Sequence, residues 1–347
     1  MRRLAKKILR LCALMAAGLL FLAYLVPFVS PAQFRLFAFF GTAYPWILFL
    51  NLFFLLVLAL RFDRFALYIA AAIGLGWSHL TGFICVGSPA PTPSARSLIV
   101  ATHNLGGLWR GERYSDALLE KSAEAYVQFL KKDGLPDVLC TQETNARFYK
   151  RVAEKVGYRH QFNLQKGTVI LSKYPMSAGG DVPFGQTANS TLWANVVVGG
   201  DTIRIYSVHL QSNRVTHDTE KIAEADPRSR GAWREARRIL GKVGSATGLR
   251  VTQAELLREH LLRSPYPALV CGDFNDTPHS WVYRHIGEGL QDVFKQYGRG
   301  IGVTFTGVIP FLRIDYLFAT PEWKAHSCQV QNSPFSDHKL LRATLSY

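Results

Sequence analysis

Charge is missing from long stretches of this 347-residue chain. Residues 11–29, 37–60 and 65–86 contain no Asp, Glu, Lys or Arg, and Asp63 is the one acid among residues 1–95. A membrane-crossing helix needs roughly 20 consecutive apolar residues, so three transmembrane helices are predicted at about these limits. A cleavable leader would account for the first run alone, and runs this apolar are rare in soluble cores. Cysteine is sparse as well. Cys12, Cys85, Cys140, Cys271 and Cys328 include no Cys-x-x-Cys pair, which argues against a cysteine zinc cluster, and no disulfide framework is evident. Cys140 and Cys271 lie in apolar runs, where a thiol packs as a small hydrophobe. No internal repeat is visible, which argues against a solenoid. Gly298-x-Gly300-x-Gly302 lacks the Lys-Ser/Thr that follows a nucleotide-binding phosphate loop, and reads as a turn.

The charge that is present is unevenly placed. Arg2, Arg3, Lys6, Lys7 and Arg10 precede the first apolar run, Arg35 lies in the first loop, and Arg61 and Arg64 lie in the second. The positive-inside rule puts the amino end and the second loop in the cytoplasm, and three crossings deliver the rest to the non-cytoplasmic side. Residues 1–86 are therefore predicted to be a multi-pass membrane anchor. Residues 87–97, with Pro89, Pro91 and Pro93, read as a linker, and 98–347 as one globular domain. That domain is also net basic. Arg228, Arg230, Arg234, Arg237 and Arg238 crowd a polar segment within residues 211–248. Such charge suits a phosphate-bearing partner or serves as a solvated helix face.

Strands are expected at 98–102, 137–140, 158–164, 168–172, 192–198, 202–210, 268–271, 313–318 and 340–345. Helices are expected at about 115–132, 145–155, 232–240 and 252–262, and from Pro278 onward. Several strands end in polar residues: Asn104, Glu143, His209, Asp273 with Asn275, and Asp315. Ser336-Asp337-His338 precedes the last strand. Any one of these is weak, since a lone histidine on a strand is usually a hydrogen-bonded core residue. Adjacent Ser, Asp and His do not converge as a serine triad. Strand ends along one sheet edge, however, converge on one cleft. Alternation in Ala268–Ser280 sets Asp273 and Asn275 on one side and Phe274 on the other. A carboxylate beside an amide can hold a water or metal ion while touching a phosphate oxygen.

In order, Thr102-His103-Asn104, Gln142-Glu143, Val208-His209-Leu210, Gly272-Asp273-Phe274-Asn275, Arg313-Ile314-Asp315-Tyr316 and Ser336-Asp337-His338 resemble the signature blocks of the endonuclease/exonuclease/phosphatase superfamily. That superfamily includes DNase I, AP endonucleases, neutral sphingomyelinases and inositol polyphosphate 5-phosphatases. The resemblance implies an α/β, DNase I-like fold, a four-layer sandwich of two mixed β-sheets flanked by helices. It also implies hydrolysis of phosphate esters with Mg²⁺, or Mn²⁺ in its place. By the same resemblance Glu143 is the principal metal ligand, with Asn104 beside it and Asp337 completing the metal region. Asp273 would deprotonate the attacking water, and Asn275 would position it and a phosphate oxygen. His338, held by Asp315, would donate to the phosphate, and His209 would stabilise phosphoryl charge or protonate the leaving oxygen. Asn104, His209, Asn275 and His338 would thus contact substrate. The Tyr-x-Pro-Asn segment typical of AP endonucleases is missing, which argues against abasic-site repair. The resulting expectation is a membrane-anchored phosphodiesterase whose partner is nucleic acid or a phospholipid headgroup. Nuclease is placed first, a sphingomyelinase-like phospholipid phosphodiesterase close behind, and an inositol-type phosphatase third. Outside the enzymes, the alternative is a catalytically silent phosphate- or lipid-binding module.

Overall fold

The computed structural model describes residues 2–34, 37–87, 97–106, 115–185, 187–213, 230–307 and 309–347. Helices α1 (Arg2–Leu25) and α2 (Phe37–Leu60) pair antiparallel. Small side chains let them approach: Ala13, Ala16 and Ala17 are enclosed. Asn51 donates from Nδ2 to the carbonyls of Ala16 (2.9 Å) and Ile47 (2.8 Å). At one end of the pair Asp63 binds Arg10 (2.7 Å) and Lys6 (3.3 Å). These are the two helices among the described residues that are long and apolar enough to cross a membrane.

The third predicted crossing is not a single helix. Helix α3 (Ala66–Leu75) stops at Gly76 and α4 (Trp77–Leu80) adds one turn. Tyr24 packs against the break. Its hydroxyl donates to the Ala72 carbonyl (3.1 Å), the acceptor that Gly76 N–H would use if α3 continued, and Gly76 bonds Ile73 instead. Ile84–Val86, expected at the end of that crossing, is strand β1. Cys85 packs into the core of the globular part. The predicted linker lies almost wholly outside the described residues.

Beyond it follow β2 (Leu98–Asn104), β3 (Val138–Gln142), β4 (His160–Asn163), β5 (Val169–Ser172), β6 (Met176–Val182), β7 (Thr191–Val198) and β8 (Asp201–His209). The set is completed by β9 (Ala268–Asp273), β10 (Gln291–Asp292), β11 (Arg299–Ile301), β12 (Asp315–Ala319), β13 (Lys324–Gln331) and β14 (Leu340–Ser346). They form two six-stranded sheets, ordered 13-14-2-3-5-4 and 10-12-9-8-7-6, and a ribbon of β1 with β11. Each large sheet is mixed, with β2–β3 and β8–β9 as parallel pairs among antiparallel ones. Parallel neighbours need long crossovers, supplied here by α5 (Asp116–Lys131) and by α7 (Arg230–Leu262). Helices α6 (Ala146–Val156), α8 (Trp281–Gly287) and α9 (Val293–Tyr297) complete the fold.

Alternation divides each strand between two cores. Val100, Val138, Cys140, Ile205, Leu269, Cys271 and Leu317 pack between the sheets. Ala101 and Leu139 face α5 and α6, and Val208 and Val270 face α7 and α8. The result is the expected four-layer sandwich. Burial of each Val or Leu contributes roughly 1.5–3 kcal/mol.

Two helices predicted at 232–240 and 252–262 are one. Gly241 and Gly248 each weaken a helix interior by about 1 kcal/mol, yet α7 runs through both, its far half held by Val251, Ala254, Leu257 and Leu261. Part of the basic segment Arg228–Arg238 lies outside the described residues. Strands β6 and β13 were not expected; both are edge strands of mixed polarity and lack a full apolar row.

Candidate active site

The polar strand-end residues continue the inward-facing rows of the inter-sheet core. Val100 leads to Thr102 and Asn104, Cys140 to Gln142, Ile205 to Ser207 and His209, and Cys271 to Asp273. A middle layer of hydroxyls and one amide joins the sheets below the ionisable groups. There Gln142 Nε2 donates to Thr102 Oγ1 (3.2 Å) and Ser207 Oγ (3.1 Å). At the top, Asp273 has His209 as its register partner on one side and Asp315 on the other. Asn104, opposite Gln142 on the other sheet, donates from Nδ2 to Asp273 Oδ2 (2.8 Å) and closes the gap between the sheets.

Backbone geometry makes the turn after β9 possible. Gly272 has φ +140°, and a Cβ there would lie 2.1 Å from the Val208 carbonyl oxygen, so only glycine fits. Asn275 (φ +53°) and Glu143 (φ +54°) are left-handed, a conformation that asparagine adopts readily and glutamate at a cost. Such strain concentrates at functional sites. Asn275 binds Asp273 twice, from its N–H (2.8 Å) and from Nδ2 (3.1 Å), and Nδ2 also donates to the Leu210 carbonyl (2.9 Å). Phe274 turns the other way into the apolar core, as expected. Asp276 points away and pairs with Arg250 (3.0 Å).

His338 donates from Nδ1 to both Asp315 oxygens (2.9 and 3.2 Å) and holds Nε2 at 3.9 Å from Asp273 Oδ2. Glu143 Oε1 lies 3.4 Å from His209 Nε2 and 3.5 Å from Asn104 Nδ2. All the predicted site residues except Asp337 are thus joined by side-chain contacts. Asp337 sits exposed on the rim, where it accepts from Ser336 Oγ (3.3 Å). It approaches the others through Gly106, whose N–H donates to Asn104 Oδ1 (2.9 Å) and on which a Cβ would meet Asp337 Oδ1 at 3.0 Å.

Three residues to which the sequence assigns no role support the site. Asn189 Nδ2 donates to the Leu210 carbonyl (2.9 Å) and lies 3.3 Å from His209 Nε2. Thr304 Oγ1 accepts from the N–H groups of Ile314 and Asp315 (3.0 Å each) and so fixes Asp315. His103 bridges the Tyr126 hydroxyl (3.0 Å) and the His338 carbonyl (3.2 Å). The polar pair Asn189-Ser190 ahead of β7 was the one local signal; the other two contacts join distant segments.

Burial pushes the Asp273 carboxyl up to about 6, with His338 opposing and Asp315 reinforcing the rise. Burial works against charge on His338, but Asp315 and Asp273 outweigh it and raise the imidazole to about 10. His338 is therefore an imidazolium at neutral pH, whereas burial lowers His103 to about 3 and keeps it neutral. A cationic donor facing a carboxylate of near-neutral pKa, with amides alongside, can hold an anionic tetrahedral group and take a proton from water. Oxygen donors of Glu143, Asn104 and Asp337 suit a hard divalent cation. Asp273, Asp315 and His338 also bring ligand atoms within 4.8 Å of one another. His338 Nδ1 is committed to Asp315, so the Glu143 side is the better fit.

The model of the endonuclease/exonuclease/phosphatase family matches residues 101–338, which include the whole cluster. The chain belongs to this family. It is accordingly a hydrolase of phosphate esters with a DNase I-like fold. A second model, of a domain of unknown function (DUF8431), matches residues 6–83. No curated protein matches. Among solved structures, an endonuclease/exonuclease/phosphatase family protein from Bacteroides thetaiotaomicron is 17% identical with TM-score 0.53, over 74% of this chain and 98% of its own. D. rerio TDP2 complexed with a single-strand DNA product is 16% identical with TM-score 0.50, covering 72% and 99%. The mannosyl-6-phosphatase Bt3783 of B. thetaiotaomicron is 16% identical with TM-score 0.50, covering 72% and 100%.

Proposed function

We propose that this hydrolase is a membrane-anchored, divalent-metal-dependent phosphodiesterase. The observation that carries the reading is Asp273, buried, bound by Asn104 and Asn275, and facing cationic His338 across 3.9 Å. In this reading Asp273 takes the proton of the attacking water, and Asn275 orients that water and a phosphate oxygen. His338, aligned by Asp315, donates to the phosphate and stabilises charge as the ester bond breaks. His209 stabilises phosphoryl charge or supplies a proton to the leaving oxygen. Glu143, with Asn104 and Asp337, would hold Mg²⁺ or Mn²⁺. When bound, such a cation would supply positive charge to offset that of the phosphate. These are positioning and electrostatic contributions, which dominate phosphoryl-transfer catalysis.

The apolar outer faces of α1 and α2 support the anchor. The end of the pair that carries Arg10 and Asp63 lies opposite the end that meets the domain, where Tyr44 stacks on His279 (3.6 Å between ring centroids). With the basic end inside, the domain faces away from the cytoplasm. A polynucleotide and a phospholipid headgroup both present the required phosphodiester, and the family resemblance puts the polynucleotide slightly first.

Full-length protein in detergent should hydrolyse bis-p-nitrophenyl phosphate with Mg²⁺ or Mn²⁺ and stop on addition of EDTA. Turnover that survives exhaustive chelation would sink the metal assignment. A carboxyl-terminal alkaline phosphatase fusion should be active and a fluorescent-protein fusion dark; the reverse pattern would put the domain in the cytoplasm.

A further inference from the structure

The wall of the site continues onto the face of α2. Phe305 bridges Leu312 on one side and His338 on the other, and its ring meets the His338 imidazole edge-on at 4.9 Å. Thr306 ties this base down by donating from N and Oγ1 to the Asp337 carbonyl (2.8 Å each). The chain returns to the bridge through Ile309, Pro310 and Phe311. Phe311 is held at φ +65°, an outlier for an aromatic residue. Its ring packs on Phe49 at 5.6 Å. Phe49 lies midway along α2, and Trp46, Phe49, Phe53 and Leu56 form one exposed face at helical spacing. The turn after Asn275 docks on the same helix: Thr277 Oγ1 donates to the Gly41 carbonyl (3.2 Å) and His279 stacks on Tyr44.

We propose that Ile309, Pro310 and Phe311 lie in the hydrocarbon beside α2, and that the site draws its phosphate ester laterally from a membrane phospholipid. The proposal rests on the phosphoesterase and membrane-anchor readings and reverses the substrate order suggested by sequence. If α2 crosses the bilayer, a residue against its midpoint stands below the headgroups. A phospholipid offers a phosphodiester to His338 and acyl chains to this apolar wall, each contact made with the chemistry it suits. A polynucleotide arrives from water and gains nothing from Phe311. In the reaction, water oxygen adds to phosphorus, its proton passes to Asp273, and one ester P–O bond breaks. The departing alkoxide takes a proton from His209 and leaves as diacylglycerol, with the phosphorylated headgroup as the other product, or as the headgroup alcohol, with phosphatidic acid as the other product.

The test uses full-length protein in nanodiscs of phosphatidylethanolamine and phosphatidylglycerol with Mg²⁺. Phosphorus NMR should show phospholipid ester cleavage. Phe311→Ser should lower that turnover about tenfold while bis-p-nitrophenyl phosphate turnover stays within about twofold, because only the lipid uses the lost apolar contact. A fluorescent amino acid at position 311 should be quenched by doxyl-labelled lipid and not by aqueous iodide. Iodide quenching, equal loss on both substrates, or cleavage of single-stranded DNA with the phospholipids untouched would each overturn the proposal. Wild-type protein inert toward every ester would instead end the phosphoesterase reading, with the quenching result still deciding where Phe311 lies.

Discussion

In the α/β domain the large apolar side chains point inward and polar groups gather along one edge, whereas α1 and α2 enclose some, such as Leu20 and Leu58, and turn many others outward. Leu11, Met15, Phe49, Phe53 and Leu60 face outward there, while Ala13, Ala16 and Asn51 are enclosed. In water the first pattern is driven by removal of apolar area. In the membrane-anchor reading proposed above, the second gains nothing from that force. Helices surrounded by lipid associate through small residues and buried polar contacts, because their apolar surface is already solvated. The Ala13–Ala16 seam and the Asn51 hydrogen bonds fit that rule. Similar residue types thus take opposite positions in one chain, the pattern expected if α1 and α2 are solvated by lipid as proposed above.

The joint between the halves offers the largest effect. Arg313 is fully buried, binds Asp292 (2.6 Å) and donates to the Gly82 carbonyl (2.8 Å). Arg313→Met should destabilise the full-length protein by about 3–5 kcal/mol, since removing one member of a buried pair strands the other charge. Unchanged thermal unfolding in detergent would contradict the burial of the Arg313–Asp292 pair. Within the domain, Asp273→Asn and His338→Ala should each lower kcat by about a hundredfold or more with the fold retained. A loss of only a few-fold would remove that residue from its assigned role. Glu143→Ala should shift its defect toward metal, raising the Mg²⁺ concentration for half-maximal rate about tenfold or more; a titration curve superimposable on wild type would contradict the ligand assignment. Asn51→Ala should cost the helix pair only about 1 kcal/mol and leave kcat alone. A large kcat effect from that substitution would erase the distinction between the halves.

The clustering of the candidate residues was legible because they extend rows that alternation already defines. Once Leu269 and Cys271 face the other sheet, Asp273 must as well. The same period placed Phe274 in the opposite core. What the sequence did not disclose depends on contacts between distant segments. Thr304 reads as an ordinary loop residue until its hydroxyl meets Asp315. The break after Leu75 coincides with Tyr24, from another helix, donating to the Ala72 carbonyl. Hydropathy reports that a stretch is apolar but not that its hydrogen-bond ladder has been interrupted. The polar edge strand β6 carries too little apolar pattern to announce itself, and α7 continues through two glycines because packing outweighs their propensity.

The docking of the domain on the helices also sets an order of assembly. Thr277 and Gly41 are 236 residues apart in sequence, and Arg313 and Gly82 are 231 apart. Contacts of such range close large loops and form late, after local helices and hairpins. The helix pair and the sandwich each have a core of their own, so each can take shape before they meet. Docking of preformed units takes milliseconds to minutes. The turn after Asn275 is accordingly expected to settle on α2 after the strands that carry Asp273 and Asp315 have paired, an order that pulsed hydrogen exchange would read directly.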